Sequence, residues 1–412
     1  MRHSKNIEAS SSGRIGLSQV SAPSKVRAGL SALYFLTYLG LGVYWTYGNV
    51  YFRDIGVSVA EIGMLNALYF GVAIFGHPFF GYIYDKLPRK YITIGATAIL
   101  AALTGFMVPA QNSAIGRAVI YALFSLFSSA LMPLMDAGAL MWCSKHDVPF
   151  QAVRIWGTIG YLFSSVLGGM ILESVDLAWS YYVTGIVLSV VSTLVLAFNK
   201  AGCLPYNSAS GTLSKPMNLN DVKTVVTSKA FLQLLIIAFL FRIAFTGPLS
   251  LYTVYLDHRG YSASQIGYIM IVGGLSEIII LLGKKEFLDR IPGDWLLTMA
   301  VVLSGVRWLL AINIQSYLGL LTLQLISGTN FILFYMVAVE KTNRLFPEQL
   351  SGVGQTVFGS VFYGLGPVIG SLLAGLMVEN AGYEKSFCIF AVMCLCVGFV
   401  QALLSRKPKI QD

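Results

Sequence analysis

Apolar residues gather into twelve long runs separated by short polar breaks. The runs lie near 28–52, 62–84, 91–110, 116–142, 153–173, 178–199, 230–256, 263–284, 294–313, 316–339, 352–378 and 383–405. At about 1.5 Å per helical residue, each is long enough to cross the ~30 Å hydrocarbon core of a bilayer. Lipid offers backbone amides and carbonyls nothing to bond, so runs of this length are predicted to be helices. The longest polar stretch, about 200–229, carries Gly, Pro, Ser, Asn and four lysines. It reads as a linker between two six-helix bundles, 28–199 and 230–405, with tails at 1–27 and 406–412. The predicted class is an all-α membrane protein of twelve transmembrane helices.

Composition agrees. Of 412 residues, 56% are hydrophobic and 11% charged, with mean hydropathy +0.71, whereas soluble domains carry about 25% charged residues. The net charge of +9 invites a nucleic-acid reading, but the basic residues sit in the breaks between runs. With the N-terminus placed in the cytoplasm, 21 of the 28 Lys and Arg fall on the cytoplasmic side and four outside. Basic residues mark cytoplasmic loops, so both termini are expected to face the cytoplasm of a cell membrane. No nucleic-acid partner is expected. The tail 1–27 has no apolar run, so the first span is expected to act as an uncleaved targeting signal. Five cysteines, Cys143, Cys203, Cys388, Cys394 and Cys396, form neither a metal spacing nor a disulfide framework.

The two bundles repeat one another at an offset of 204. Tyr51, Gly56, Ser58, Ile62 and Gly63 recur as Tyr255, Gly260, Ser262, Ile266 and Gly267. Asp85-Lys86-Leu87-Pro88 recurs as Asp289-Arg290-Ile291-Pro292.

Five charges interrupt the runs. Asp136 and Arg154 are each nine residues from Lys145, in the turn between the fourth and fifth runs, so antiparallel helices place them at one depth. Arg242 and Glu277 lie seventeen and eighteen residues from the turn near Arg259 and are expected to share a depth and pair. Arg307 faces only the neutral Gln324 and Asn330 in the next run. Inserting five such charges costs roughly 12–17 kcal/mol on the permissive scale, so they are expected to line a cavity. Three bases against two acids favour an anion, since a guanidinium holds a carboxylate bidentately. The same groups also suit hydroxyl-rich neutral solutes. Glu277, ahead of Asp136, is the candidate proton-coupling carboxyl, its affinity raised by burial and lowered by an approaching Arg. His77, before Pro78, reads as structural.

These features resemble the major facilitator superfamily over about 28–405, including its parallel six-helix repeats. Gly81-Tyr-Ile-Tyr-Asp85-Lys86-Leu-Pro-Arg89-Lys90 is similar to that superfamily's signature between helices 2 and 3. The resemblance implies a cytoplasmic latch at Asp85, Lys86, Arg89, Asp289 and Arg290. Within the superfamily the chain resembles the lactose permease and phenylpropionate permease group. The eighteen-residue spacing of Asp136 and Arg154, Tyr161 seven residues on, and Val306-Arg307 match that group. The match implies substrate contacts at Asp136, Arg154, Tyr161 and Arg307; Arg242 is expected to join them as an intramembrane charge lining the cavity. The chain departs from lactose permease at Gln324, Ser327, Asn330 and Tyr363, where charged residues of its proton path would stand. Glu277, three residues later than the lactose permease acid, looks more like the phenylpropionate branch.

The reading is a monomeric secondary transporter embedded in the bilayer, moving a small organic solute with a proton by alternating access. An aromatic or other carboxylic acid stands ahead of a sugar or nucleoside. An exporter of drugs or metabolites and a non-transporting membrane sensor remain alternatives. No phosphate loop, metal cluster or nucleophile triad suggests an enzyme, and no cofactor is expected.

Overall fold

A computed structural model describes residues 17–202, 204, 226–282, 291–346 and 351–405. All regular structure among them is helical. The spans are α1 (Leu17–Asp54), α2 (Val59–Lys86), α3 (Lys90–Met107), α4 (Ala114–Lys145), α5 (Gln151–Leu172) and α6 (Trp179–Lys200). They continue with α7 (Lys229–His258), α8 (Ala263–Leu282), α9 (Gly293–Asn313), α10 (Tyr317–Leu345), α11 (Val353–Ala381) and α12 (Tyr383–Ser405). Twelve of the described helices are thus long and apolar enough to cross a bilayer. Helix α1 starts ahead of its apolar run, at Leu17 instead of residue 28. Most of the expected 200–229 linker, both outer tails, Cys203, Asp289 and Arg290 lie outside the described residues.

The breaks between runs stop the helices by ordinary chemistry. Ser58, Ser113 and Ser316 accept the backbone N–H of the residue three further on, at 3.2, 3.0 and 3.1 Å. Each satisfies one of the donors that a helix start leaves unbonded. The repeat is also visible in backbone geometry. Gly56 and Gly260, 204 residues apart, both turn the chain at φ near +80°, a left-handed conformation that suits glycine.

Packing follows one pattern twice. In the first six helices α1 lies against α5 and α6, α3 against α4 and α6, and α2 against α4. In the second six α7 lies against α11 and α12, α9 against α10 and α12, and α8 against α10. The two sets meet chiefly through α2 with α11 and α5 with α8.

Among the described residues, the hydrogen bonds and ion pairs that join the sets lie at the end away from the chain termini. Glu173, just past α5, accepts the backbone N–H and the hydroxyl of Ser264 at the start of α8, at 3.1 and 2.5 Å. Glu379, near the end of α11, accepts the N–H of Ala60 at the start of α2, at 3.3 Å. Ala60 and Ser264 are repeat equivalents, so two carboxylates cap two helix N-termini across the interface, where amide donors and the helix dipole favour negative charge. Asn49 and Asn66 donate to the Ser250 carbonyl at 2.9 and 3.3 Å. Tyr47 donates to Ala263 O at 3.1 Å and also bonds Ser165 O. The opposite end carries Asp85, Lys86 and Arg89, all exposed. Among the described residues these three form no ion pair across the interface.

Candidate functional site

Between the sets, α1, α4 and α5 bring Asp136, Arg154, Tyr34 and Tyr38 together. Arg154 Nε lies 3.7 Å from Asp136 Oδ1, and the two side chains remain 33% and 31% exposed, so the pair borders solvent, Arg154 in the first turn of α5 and Asp136 nine residues before the end of α4. Tyr34 donates to the same carboxylate oxygen at 2.5 Å. The Arg154 guanidinium sits 4.6 Å from the centre of the Tyr38 ring and 5.8 Å from that of Tyr34. Stacking of this kind keeps a guanidinium planar and oriented. Spacing alone anticipated the Asp136–Arg154 encounter; the contributions of Tyr34 and Tyr38 were hidden in an aromatic-rich α1.

About two helical turns further along α1 and α5, Trp45 packs on Tyr161 with ring centres 6.3 Å apart and on Tyr38 at 5.8 Å. Trp45 and Tyr161 are only partly buried, whereas Tyr44 and Tyr47 are buried. Tyr44 belongs to the core, edge-on to Phe124 at 4.8 Å. Thus Trp45 and Tyr161 border the cleft, the buried Tyr38 ring lies between Trp45 and Arg154, and Tyr44 packs in the core.

Glu277 on α8 corrects the expected Arg242–Glu277 pair. It lies within electrostatic reach of Arg154, across the interface, and of Tyr38 and Tyr161 as well. Among the described residues it forms no ion pair. Arg242 instead points into the second set. It is 5% exposed, donates from Nε to the Phe362 carbonyl at 2.7 Å, and faces the rings of Phe362, Phe331 and Phe245 at 4.7, 5.4 and 5.7 Å. Counting residues from a turn fixes depth but not direction around the helix. Moreover, α7 breaks register at Leu251 (φ −113°, ψ 7°), between Arg242 and that turn.

Arg307 is more deeply enclosed, at 1% exposed. It donates to Gln324 Oε1 at 3.1 Å and lies 4.0 Å from the Trp308 ring and 5.3 Å from Tyr252. Its Nε and Nη1 have no hydrogen-bond partner among the described residues. The cleft therefore does not hold three bases against two acids. Its accessible charges are Asp136, Arg154 and Glu277, a surplus of one acid. His77 is exposed on α2 beside Pro78.

The likeness to known proteins spans nearly the whole chain. The maltose permease of Geobacillus stearothermophilus is 24% identical over 91% of this chain and 93% of its own length. A probable 3-phenylpropionic acid transporter of Escherichia coli (strain K12) is 21% identical over 92% and 96%. The crystal structure of nucleoside transporter NupG superposes with a TM-score of 0.81 at 17% identity, covering 93% of this chain and all of that one. That likeness shows a shared fold. The MFS_1 like family model matches residues 28–389. With twelve membrane-spanning helices in two equivalently packed sets and a charged cleft between them, the chain belongs to the MFS_1 like family of major facilitator transporters.

Proposed function

We propose that this secondary transporter carries a small, uncharged, hydroxyl-rich ring solute inward together with a proton. The observation that carries the reading is the cleft's own chemistry: Asp136, Arg154 and Glu277 around the partly buried rings of Trp45 and Tyr161, with the buried Tyr38 ring against Arg154 and Trp45. With Arg242 and Arg307 turned away, no unmatched base remains to attract a carboxylate, and the acid-first ordering of candidate substrates reverses. A paired carboxylate and guanidinium offer acceptors and donors to hydroxyl groups. Aromatic faces suit the apolar face of a sugar or a nucleobase. Two of the relatives are named for maltose and nucleoside transport, which is the same solute chemistry.

The surplus acid gives the proton a place. When Glu277 is ionised, the cleft holds two carboxylates against one guanidinium. Protonation leaves a neutral Asp136–Arg154 pair, which can meet an uncharged solute without a burial penalty when the halves close over it. After the cleft opens inward, water returns and Glu277 ionises. Arg154, not Arg242, is the base that stabilises the ionised form in this scheme. The excess of Lys and Arg in the loops at the terminal end supports placing that end in the cytoplasm. The conformation then has its outer end clasped.

The test is transport by purified protein in liposomes with an imposed pH gradient, using maltose, uridine and 3-phenylpropionate as probes. Proton-driven accumulation of maltose or uridine is expected, with 3-phenylpropionate excluded. Glu277→Gln is expected to abolish accumulation against a gradient while retaining exchange of the same solute. Undiminished uphill accumulation by Glu277→Gln would sink the coupling role, and preferential uptake of 3-phenylpropionate would restore the acid reading.

A further inference from the structure

The α11 helix is interrupted by a π-helical turn over Ser360–Leu365, flanked by Gly359 and Gly366 and followed by Pro367. In a π turn each N–H reaches back five residues, and Gly366 N–H bonds Val361 O accordingly. The next donor in that ladder would be residue 367, which is proline and has no N–H. The Phe362 carbonyl is therefore left without its ladder partner inside a membrane span. Arg242 supplies the missing bond from Nε, at 2.7 Å, and its guanidinium lies against the Phe362 ring at 4.7 Å. The helices are close enough for this because Gly366 faces α7: a Cβ there would stand 2.6 Å from Arg242 Cβ.

What the turn accomplishes is visible one residue on. Phe362 is fully buried, whereas Tyr363 is 44% exposed. Tyr363 nonetheless lies among interior groups, edge-on to Tyr335 at 5.7 Å and within electrostatic reach of Arg242 and Glu277. An exposed side chain surrounded in this way faces the cleft. A one-residue change of register rotates a helical side chain by about 100°, so return of this segment to α-helical bonding would swing Tyr363 away from Glu277.

We propose that Arg242 is a positioning residue: it replaces the hydrogen bond Pro367 cannot make, holds the π turn, and thereby presents Tyr363 to the cleft opposite Glu277. Tyr363 is then a contact residue for the transported solute. This last assignment rests on the cleft reading given above, whereas the bracing role of Arg242 does not.

The experiment needs neither solute nor proton gradient, so it can fail or succeed apart from the transport assay. In full-length protein with the five native cysteines replaced by serine or alanine, Tyr363→Cys is labelled with a membrane-impermeant methanethiosulfonate reagent and its rate measured. Rapid labelling is expected when Arg242 is present. Arg242→Gln is expected to slow it about tenfold, since thiol exchange depends on access, and Arg242→Lys to restore most of the rate. Separately, Arg242→Gln lowers the melting temperature, and adding Pro367→Ala recovers it, because alanine provides the absent N–H. If Arg242→Gln yields no folded protein, the double variant Arg242→Gln/Pro367→Ala must yield it. Slow labelling of the parent, unchanged labelling in Arg242→Gln, or failure of Pro367→Ala to recover the loss would each overturn the proposal.

Discussion

Arg53 and Asp257 occupy the same position in the two repeats, 204 residues apart, yet carry opposite charges and lie 3.5 Å from each other across the interface. Arg53 also donates to Val254 O at 3.0 Å and approaches His258 Nδ1 at 2.9 Å. Partly exposed ion pairs contribute little, so with the carbonyl bond the cluster is worth about 1 kcal/mol to the closed end. Arg53→Ala is expected to raise the population open at that end about fivefold. Exchanging the charges, Arg53→Asp with Asp257→Arg, should recover most of the closed population. Spin-label distances across that end measure both outcomes. Equal distances in Arg53→Ala and parent would remove the pair from the gate.

Glu173 makes the same end sensitive to acid. It stands outside the α5 span, and hydrogen bonds from the hydroxyls of Ser262 and Ser264 and the Ser264 N–H hold its carboxyl below the ordinary glutamate range. A carboxyl depressed in the closed form stabilises closure above its ordinary value and loses that contribution as pH falls through the depressed one. Opening of the clasped end is thus expected on acidification below the usual carboxylate range, with no change near neutrality. Glu173→Gln should flatten the pH response, read as spin-label distances across that end between pH 7 and pH 3.5. An unaltered response in that variant would exclude Glu173 as its source.

Close helix approach supplies a third prediction. A Cβ on Gly267 would stand 2.1 Å from Ser165 O and 2.5 Å from Tyr47 Oη; one on Gly63 would stand 2.5 Å from the Cα of Gly375. All are contacts between the two sets, so adding a methyl strains closure without touching either bundle's core. Overpacking costs about 1–3 kcal/mol, enough to shift the open population by roughly five- to a hundredfold. Gly267→Ala should therefore favour the form open at that end while melting within a few degrees of the parent. A closed population like the parent's would contradict this.

Tyr34 shares Asp136 Oδ1 with Arg154. A hydrogen bond to a charged group contributes about 1.5–3 kcal/mol, and its loss leaves the carboxylate less firmly oriented. Tyr34→Phe is expected to raise the KM for maltose or uridine about tenfold with a smaller effect on the maximal rate. A fall in maximal rate at constant KM would instead implicate Tyr34 in the conformational step.

The legible part of this protein was the part written in one dimension. Twelve apolar runs specify twelve helices, and the recurrence of Gly56 as Gly260 appears again as two identical left-handed turns. Asp136 and Arg154 could be paired because both are counted from one tight turn. The same count failed for Arg242 and Glu277, since direction around α7 depends on the break at Leu251 and on aromatic rings that outcompete a distant carboxylate for the guanidinium. The clasps were illegible for another reason. Their acceptors are side chains, Glu173 and Glu379, but half of their donors are backbone amides, which no residue type announces. The latch residues Asp289 and Arg290 lie beyond the described chain.

The two carboxylate clasps stand on opposite flanks of the pseudo-twofold axis, like bolts on both jambs of one door. Neither flank can serve as a hinge while the other swings, because each flank is itself fastened. Release of one bolt leaves the second still joining the leaves on the other flank, so each loss eases opening at that end and neither alone undoes it.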